Sequence, residues 1–503
     1  MNQLDRRRFL LTASAAAASL TTLPLFGAGN KSAVLTLHPD QPGPTIPANF
    51  LGLSYETQQL ADPSFFSAAN TGLMAQFRAL TPSGVLRLGG NTSDVGWFRF
   101  TPETQRPEMK TRTVVGEPSA QQAYFIVPEA IHKLRAFLDA TGWTCLYGLN
   151  LGTGSPERDA QEAELVATVL GPKLEHFQIG NEPDLFNRHM RDPKTWSVDT
   201  YLDEWLATVD AIRARVPSAR FGLPDTSGNP EWSARIVERL SAMPEGTAKG
   251  TRPHIAAITH HYYFGGPPSN PDVNINRLLR VDPRVRNVAA TTREAAEKLS
   301  AAANHEVRYR MSEGNTCYRG GKPGVSDVLA AALWAADYLL TLASLGYCGV
   351  NLHGGTRNQV AASLGGVLPG EALLTNPNEP HPRPFYTPIA QIDGAYVQEP
   401  VFHGIHFAGQ FAGATVIPVT FDPGPVNATA YAAKLSTGEI AVVVINKDAS
   451  RELPLTLAGF HLRRTLTAKS LTSTEVEELE LSSPREISTV PPSTAMLLHS
   501  SRS

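Results

Sequence analysis

From about residue 50 to residue 412 the chain alternates short apolar runs with amphipathic stretches, and this alternation restricts its fold more than any other feature. Candidate strands end at Leu51-Gly52-Leu53-Ser54, Val85-Leu86-Arg87-Leu88, Cys145-Leu146-Tyr147-Gly148-Leu149 and Phe177-Gln178-Ile179-Gly180. Four more end at Arg220-Phe221-Gly222-Leu223, Ala257-Ile258-Thr259-His260, Val307-Arg308-Tyr309-Arg310 and Gly349-Val350-Asn351-Leu352. Helical patterns lie between them, such as Ile131–Leu138, Tyr201–Val216 and Val328–Leu345. In the last, Leu329, Leu333, Ala336, Leu340 and Ala343 recur at three- and four-residue steps. Eight such units predict an α/β fold, a (β/α)8 TIM barrel over residues 46–412. A doubly wound open sheet would need a glycine-rich phosphate turn after an early strand, and no G-x-G-x-x-G or P-loop occurs.

After about residue 413 the helical patterns stop. Ile440–Asn446, Leu453–Leu457 and Thr494–Leu498 read as strands between turn-rich gaps, which predicts a C-terminal antiparallel β-sandwich over 413–503. Val34-Leu35-Thr36-Leu37, within 33–40, is a candidate extra strand of that sandwich. Ahead of it, Asp5-Arg6-Arg7-Arg8-Phe9-Leu10 precedes an Ala/Ser/Leu-rich stretch to about Phe26. That order reads as a twin-arginine-type export signal over 1–30 and predicts a periplasmic or secreted protein with no membrane anchor.

Charge narrows the functional classes. The 44 basic and 47 acidic residues nearly cancel, where nucleic-acid binding asks for a concentrated basic surface. Three cysteines make no disulfide framework and no metal-ligand spacing.

Reactive groups of a barrel sit at the C-terminal strand ends. Asn181-Glu182-Pro183 follows the fourth run, and Met311-Ser312-Glu313-Gly314-Asn315 follows the seventh. Strands four and seven face each other across a barrel mouth, so Glu182 and Glu313 are expected to share one pocket. Paired carboxylates across a pocket are what glycoside hydrolysis requires: one protonates the leaving oxygen, the other attacks or activates water. Asn378-Glu379-Pro380 repeats the tripeptide in a Pro-rich stretch without a preceding strand and reads as a turn. His260-His261-Tyr262-Tyr263 ends the sixth run, and a tyrosine there could hold the attacking carboxylate ionised. The histidine pair, with His353 after strand eight, raises a zinc reading, but no HExxH or Cys/His cluster accompanies it. Neither a metal nor a cofactor is expected. Arg87-Leu88-Gly89-Gly90-Asn91 brings a cation and a tight turn to the same mouth, and a buried ion pair is the plainer role for Arg87. Gly52-Leu53-Ser54-Tyr55-Glu56 lacks the second glycine of a serine-hydrolase elbow.

These motifs resemble glycoside hydrolase family 79, the group of bacterial β-glucuronidases and heparanase. Gln178-Ile179-Gly180-Asn181-Glu182-Pro183 is similar to its acid/base strand, His260–Tyr263 to its strand six, and Ser312-Glu313-Gly314-Asn315 to its nucleophile strand. Asn351-Leu352-His353-Gly354-Gly355 fits its strand eight. The resemblance implies a retaining exo-β-glucuronidase with Glu313 as nucleophile and Glu182 as acid, then base. It further implies that Asn181 holds the sugar 2-hydroxyl, that Tyr262 contacts Glu313, and that Glu56 binds sugar hydroxyls. Tyr318 matches a uronate-binding position. Tyr386 is a candidate for a second such tyrosine, after what reads as a long loop from Thr356 to Pro384. Asn91, His260 and His353 complete the expected substrate contacts at the strand ends. The expected partner is an oligo- or polysaccharide β-glucuronide. A heparanase-like endo enzyme, a neutral-sugar glycosidase and a non-catalytic carbohydrate-binding barrel are the alternatives.

Overall fold

The eight apolar runs become eight parallel strands of one closed barrel in the computed structural model, which describes residues 32–41, 43–109, 123–246 and 248–501. The candidate export signal at 1–30 lies outside the described residues. In chain order the barrel strands are Leu51–Glu56 (β1), Val85–Gly89 (β2), Thr144–Leu149 (β3) and Leu174–Ile179 (β4). Arg220–Thr226 (β5), His254–Gly265 (β6), Arg308–Cys317 (β7) and Gly349–His353 (β8) follow, and β8 pairs with β1 to close the ring. Their residues are buried almost throughout, as expected of parallel strands with side chains inside and helices outside. Local chemistry starts and stops the outer helices. Pro128, Pro156 and Pro283 open three of them, where a missing N–H costs nothing, and Gly142 ends the first with φ of 81°.

Helix Leu329–Ser344 is apolar nearly all round because it is covered on several sides. Helix Pro400–Ala408 lies against it so closely that a Cβ at Gly404 would sit 2.1 Å from the Ala332 carbonyl oxygen. A six-stranded antiparallel sheet packs on the same helix, in the order Thr415–Ile417, Ala428–Lys434, Ile440–Asn446, Thr494–Ser500, Phe460–Thr467, Glu477–Arg485. Its third strand explains the unbroken apolar run read in the sequence. Ala441, Val443 and Ile445 join the barrel's core, while Val442 and Val444 face a second, smaller core.

That second core is closed by two short ribbons instead of a continuous sheet. Val34–Leu37 pairs antiparallel with Val419–Asp422, and Leu453–Pro454 with Thr489–Val490. The stretch Thr356–Pro384 also departs from a plain loop: it contains helix Arg357–Ser363 and a 3-10 turn, Pro369–Leu373, tied by the Arg357–Glu371 ion pair at 3.0 Å. Among the described residues, no helix is long and apolar enough to cross a membrane.

A buried ion pair joins sheet to barrel. Lys447 Nζ donates to Asp337 Oδ2 at 2.6 Å, while Thr429 and Tyr431 hydroxyls donate to Asp337 Oδ1 at 2.5 and 2.6 Å. Removing only the lysine would leave the Asp337 carboxylate without its ion-pair partner in the seam between sheet and helix. Lys447→Met should therefore lower unfolding free energy by about 3 kcal/mol, and the double change Lys447→Met/Asp337→Leu should recover most of it. Urea denaturation midpoints of the three proteins test this.

Candidate active site

Glu182 follows β4 and Glu313 lies on β7, and both line one cavity of about 660 Å³ at the C-terminal ends of the strands. A break in regularity aims Glu313. The register of β7 against β6 shifts between Met311 and Glu313, which sets Glu313 opposite His261 and Asn315 opposite Tyr263. Glu182 has a left-handed backbone with φ of 46°, held by its N–H donating to the Asp225 carbonyl at 3.0 Å. A side-chain-bearing residue in that region is strained, and such strain gathers at functional sites.

The floor of the cavity is a charge network around Arg87, whose side chain is 1% exposed. Its guanidinium donates to Glu313, to Asp225 at 2.5 Å, to Asn181 Oδ1 at 2.9 Å and to Ser54 Oγ at 3.1 Å. Asp225 also accepts from Gln178 Nε2 at 2.9 Å and from the Ser312 hydroxyl. His261 spans Asp225 and Glu182, with Nε2 3.2 Å from the first and Nδ1 3.0 Å from the second.

These contacts set the ionisation states. Burial alone would discharge His261, but the Asp225 and Glu313 carboxylates hold its pKa up to about 10. Burial opposes ionisation of Glu313 too, yet His353, His261 and Arg87 bring it down to about 2, helped by the Tyr263 hydroxyl donating at 2.9 Å. Asp225 is likewise held far below the usual carboxylate range, by Arg87 and His261 acting against burial. Glu182 goes the other way: burial raises it, and the His261 hydrogen bond only partly offsets this. Glu313 is thus held ionised while the Glu182 carboxyl is pushed upward, so two carboxyl groups in one pocket are tuned in opposite directions.

Seven of the sequence-predicted residues converge on the cavity: Glu56, Asn91, Glu182, Glu313, Tyr318, His353 and Tyr386. Glu56 Oε2 accepts from the Thr92 N–H and hydroxyl at 3.0 and 2.7 Å. His353 Nδ1 lies 3.0 Å from Ser54 Oγ and 3.7 Å from Glu313. Asn181 is buried behind the cavity, its Nδ2 donating to Asn91 Oδ1 at 3.2 Å. Two expectations are corrected. His260 faces away from the cavity, Nε2 2.8 Å from the Tyr347 hydroxyl, and burial pushes it down to about 4. Tyr262 does not meet Glu313; its hydroxyl donates to Asp282 at 2.6 Å and its ring stacks on Tyr338. The contact to Glu313 belongs to Tyr263.

The cause is strand parity. Successive side chains of β6 alternate faces, so His261 and Tyr263 point inward while His260 and Tyr262 point to the helices. Doubled residues hide a slip of one position. The signal was in the neighbours: Ile258 and Phe264 share the face of His260 and Tyr262, and both pack in the main core. His261, Tyr263 and Asp225 are thus the site residues that sequence reasoning missed. Among the described residues, no group of three His, Cys, Asp or Glu side chains is arranged to hold a metal ion.

No family model matches the sequence. A β-glucuronidase of Aspergillus niger is 26% identical over 312 residues, covering 59% of this chain and 55% of that protein. A β-glucuronidase of Neurospora crassa is 27% identical over 301 residues, covering 55% and 51%. The chain thus aligns with about half the length of these relatives. Among solved structures, a 4-O-α-L-rhamnosyl-β-D-glucuronidase from Fusarium oxysporum superposes with TM-score 0.63 at 16% identity, over 92% of this chain and 99% of that one. A family 51 arabinofuranosidase from Xanthomonas axonopodis gives 0.60 at 16%, over 93% and 100%. At such identities the likeness is one of fold, a barrel with an added β-sheet region.

Two outcomes follow from the network. Tyr263→Phe should raise the Glu313 carboxyl pKa and Tyr262→Phe should leave it in place, read by carbon NMR of labelled glutamate. His261 is charged in the fold up to about 10 against 6.5 for an ordinary histidine. Its stabilisation is therefore complete below 6.5 and is lost as pH rises through 10. Urea midpoints across that window should fall in the wild type, with a shallower slope in His261→Gln.

Proposed function

We propose that this chain is a retaining β-glucuronidase of the family 79 type. The observation that carries the reading is the opposite tuning of two carboxyl groups in one cavity: Glu313 held ionised, Glu182 pushed up toward its protonated form. Glu313 attacks the anomeric carbon while Glu182 gives its proton to the leaving oxygen, forming a glycosyl-enzyme ester. As Glu182 loses that proton, the charged His261 beside it stabilises the new carboxylate. Glu182 then takes a proton from water, water attacks the anomeric carbon, and Glu313 leaves with its charge restored to Arg87 and Tyr263.

Substrate class is inferred from the cavity's walls and from the two relatives of that name. Tyr318 and Tyr386 bring hydroxyl donors that suit a uronate carboxylate, and donors left unpaired by glucose would penalise the neutral sugar. The segment after β8 closes one side of the pocket through Ser363, Leu364 and Pro369, which favours exo action. The arginine-rich start of the chain supports export to the periplasm or medium, where glucuronide-bearing polysaccharides are met.

The test uses nitrophenyl β-glucuronide and β-glucoside. The wild type should favour the glucuronide by roughly 10³-fold in kcat/KM. Glu313→Gln should lower kcat by about 10³-fold or more, and Glu182→Ala should regain turnover with azide to give the β-glycosyl azide. An inverted first product by proton NMR would overturn double displacement, and a preference for glucoside would overturn the uronate assignment.

A further inference from the structure

The barrel end that carries the catalytic cavity has a second hollow, of about 490 Å³, and no residue lines both. It lies beyond the ends of β1 and β8. Glu56 and His353 line the cavity, while Gln59 and Thr356, three residues further along each segment, line the hollow. Helix Arg357–Ser363 gives Asn358 and Gln359 to the hollow and Ser363 to the cavity.

A hairpin of Ile389–Ile392 and Ala395–Gln398 supplies another wall. Gln391 and Tyr396 are cross-strand partners in it, so both side chains stand on the face that lines the hollow. The hairpin is pinned to helix Thr71–Leu80. Gln76 Nε2 donates to the Tyr396 carbonyl at 3.2 Å, Gln398 Nε2 donates to Gln76 Oε1 at 2.9 Å, and a Cβ at Gly72 would touch the Tyr396 ring at 3.0 Å. That ring meets Phe65 edge to face, with centroids 6.3 Å apart. The Tyr396 hydroxyl accepts from Asn70 Nδ2 at 2.8 Å, which leaves its own proton to give.

Amides dominate the polar lining, and most of their capacity is unused. Among the described residues the side chains of Asn358 and Gln391 make no hydrogen bond, and Gln359 Oε1 is buried without a donor. Gln59 uses only its oxygen, which accepts from the Thr356 hydroxyl at 3.3 Å. Among the described residues no arginine, lysine or histidine lines the hollow, and its one carboxylate, Asp62, already accepts from the Ser64 N–H and hydroxyl at 2.8 and 2.6 Å. An amide carries donor and acceptor side by side, as a row of sugar hydroxyls does. A charged ligand would find no counter-charge there to offset its lost hydration.

We propose that this hollow is a non-catalytic binding site for a neutral sugar unit of a polysaccharide, held by amide hydrogen bonds against the wall of Phe65 and Tyr396. The site holds carbohydrate whichever bond the cavity cleaves, so the proposal goes beyond the glucuronidase reading. A chain caught there is kept beside the catalytic mouth and is not cut, because neither Glu182 nor Glu313 lines the hollow.

Native gels cast with galactan, arabinoxylan or mixed-linkage β-glucan, all neutral, and one cast with polygalacturonate test this on Glu313→Gln, which leaves the polymers intact. At least one neutral polymer should retard the protein. Adding Asn358→Ala/Gln391→Ala should weaken that binding roughly tenfold, the effect of two hydrogen bonds. Both residues are exposed, and alanine favours the helix at 358, so the double change keeps the fold. In the otherwise unaltered chain the same change should leave kcat/KM on nitrophenyl β-glucuronide where it was. The proposal is overturned by no retardation in any neutral gel, by retardation that survives the double change, or by retardation in polygalacturonate alone. A matching loss of kcat/KM on the nitrophenyl substrate also overturns it, since the hollow would then be no separate site. A chain inactive on that substrate refutes the glucuronidase reading, and the gels alone then decide the hollow.

Discussion

Arg87 is the residue around which the barrel mouth is built. A guanidinium buried to 1% costs several kcal/mol unless counter-charges and acceptors surround it, and here they come from four strands or strand ends. Ser54 arrives from β1, Gln178 and Asn181 from β4, Asp225 from β5 and Glu313 from β7, while the charged His261 of β6 joins the network through Asp225. Space is reserved for it as well: a Cβ at Gly89 would fall 2.3 Å from the guanidinium carbon. Two carboxylates must then stay ionised to satisfy one arginine, and one of them is the proposed nucleophile. Its charge belongs to the requirement for a folded barrel as much as to catalysis.

Glu182 stands at the other end of the same chain of contacts. From Glu313 the path runs through Arg87, Asp225 and His261 to Glu182, each step a hydrogen bond or ion pair within 3.2 Å. The two carboxyl groups are therefore coupled through a relay of fixed charges besides their direct repulsion. This permits one to be a strong acid and the other a weak one in a single pocket.

Much of this was legible before any coordinates. Eight apolar runs, each followed by an amphipathic stretch, located every barrel strand, because a strand buried on both faces has little freedom in composition. β6 and β7 nevertheless run on to Gly265 and Cys317, well past the ends read at His260 and Arg310. Glu182 and Glu313 were legible for a related reason, since the fold dictates where strand ends converge. What escaped was finer. His260-His261-Tyr262-Tyr263 presents the same residue types to both faces, so the pattern does not say which pair looks inward. Asp225 lies two residues beyond the apolar run it was read with, and nothing in its sequence neighbourhood marks it as Arg87's counter-ion. Such a partnership exists only across the ring, between positions 138 residues apart.

The order of the six-stranded sheet bears on how the protein comes into being. Its last strand in sequence, Thr494–Ser500, is central in space, lying between Ile440–Asn446 and Phe460–Thr467. Until that strand is synthesised, the two halves of the sheet have no common edge. The faces of Ala441, Val443 and Ile445 that seal the barrel's helices then belong to an unfinished layer. A nascent chain lacking only its last strand thus keeps an apolar seam and an open strand edge, both templates for the wrong partner. Completion of the layer that covers the barrel's helices waits for residues 494–500, so a truncation ahead of Thr494 uncovers the apolar face that Ala441, Val443 and Ile445 share with the barrel.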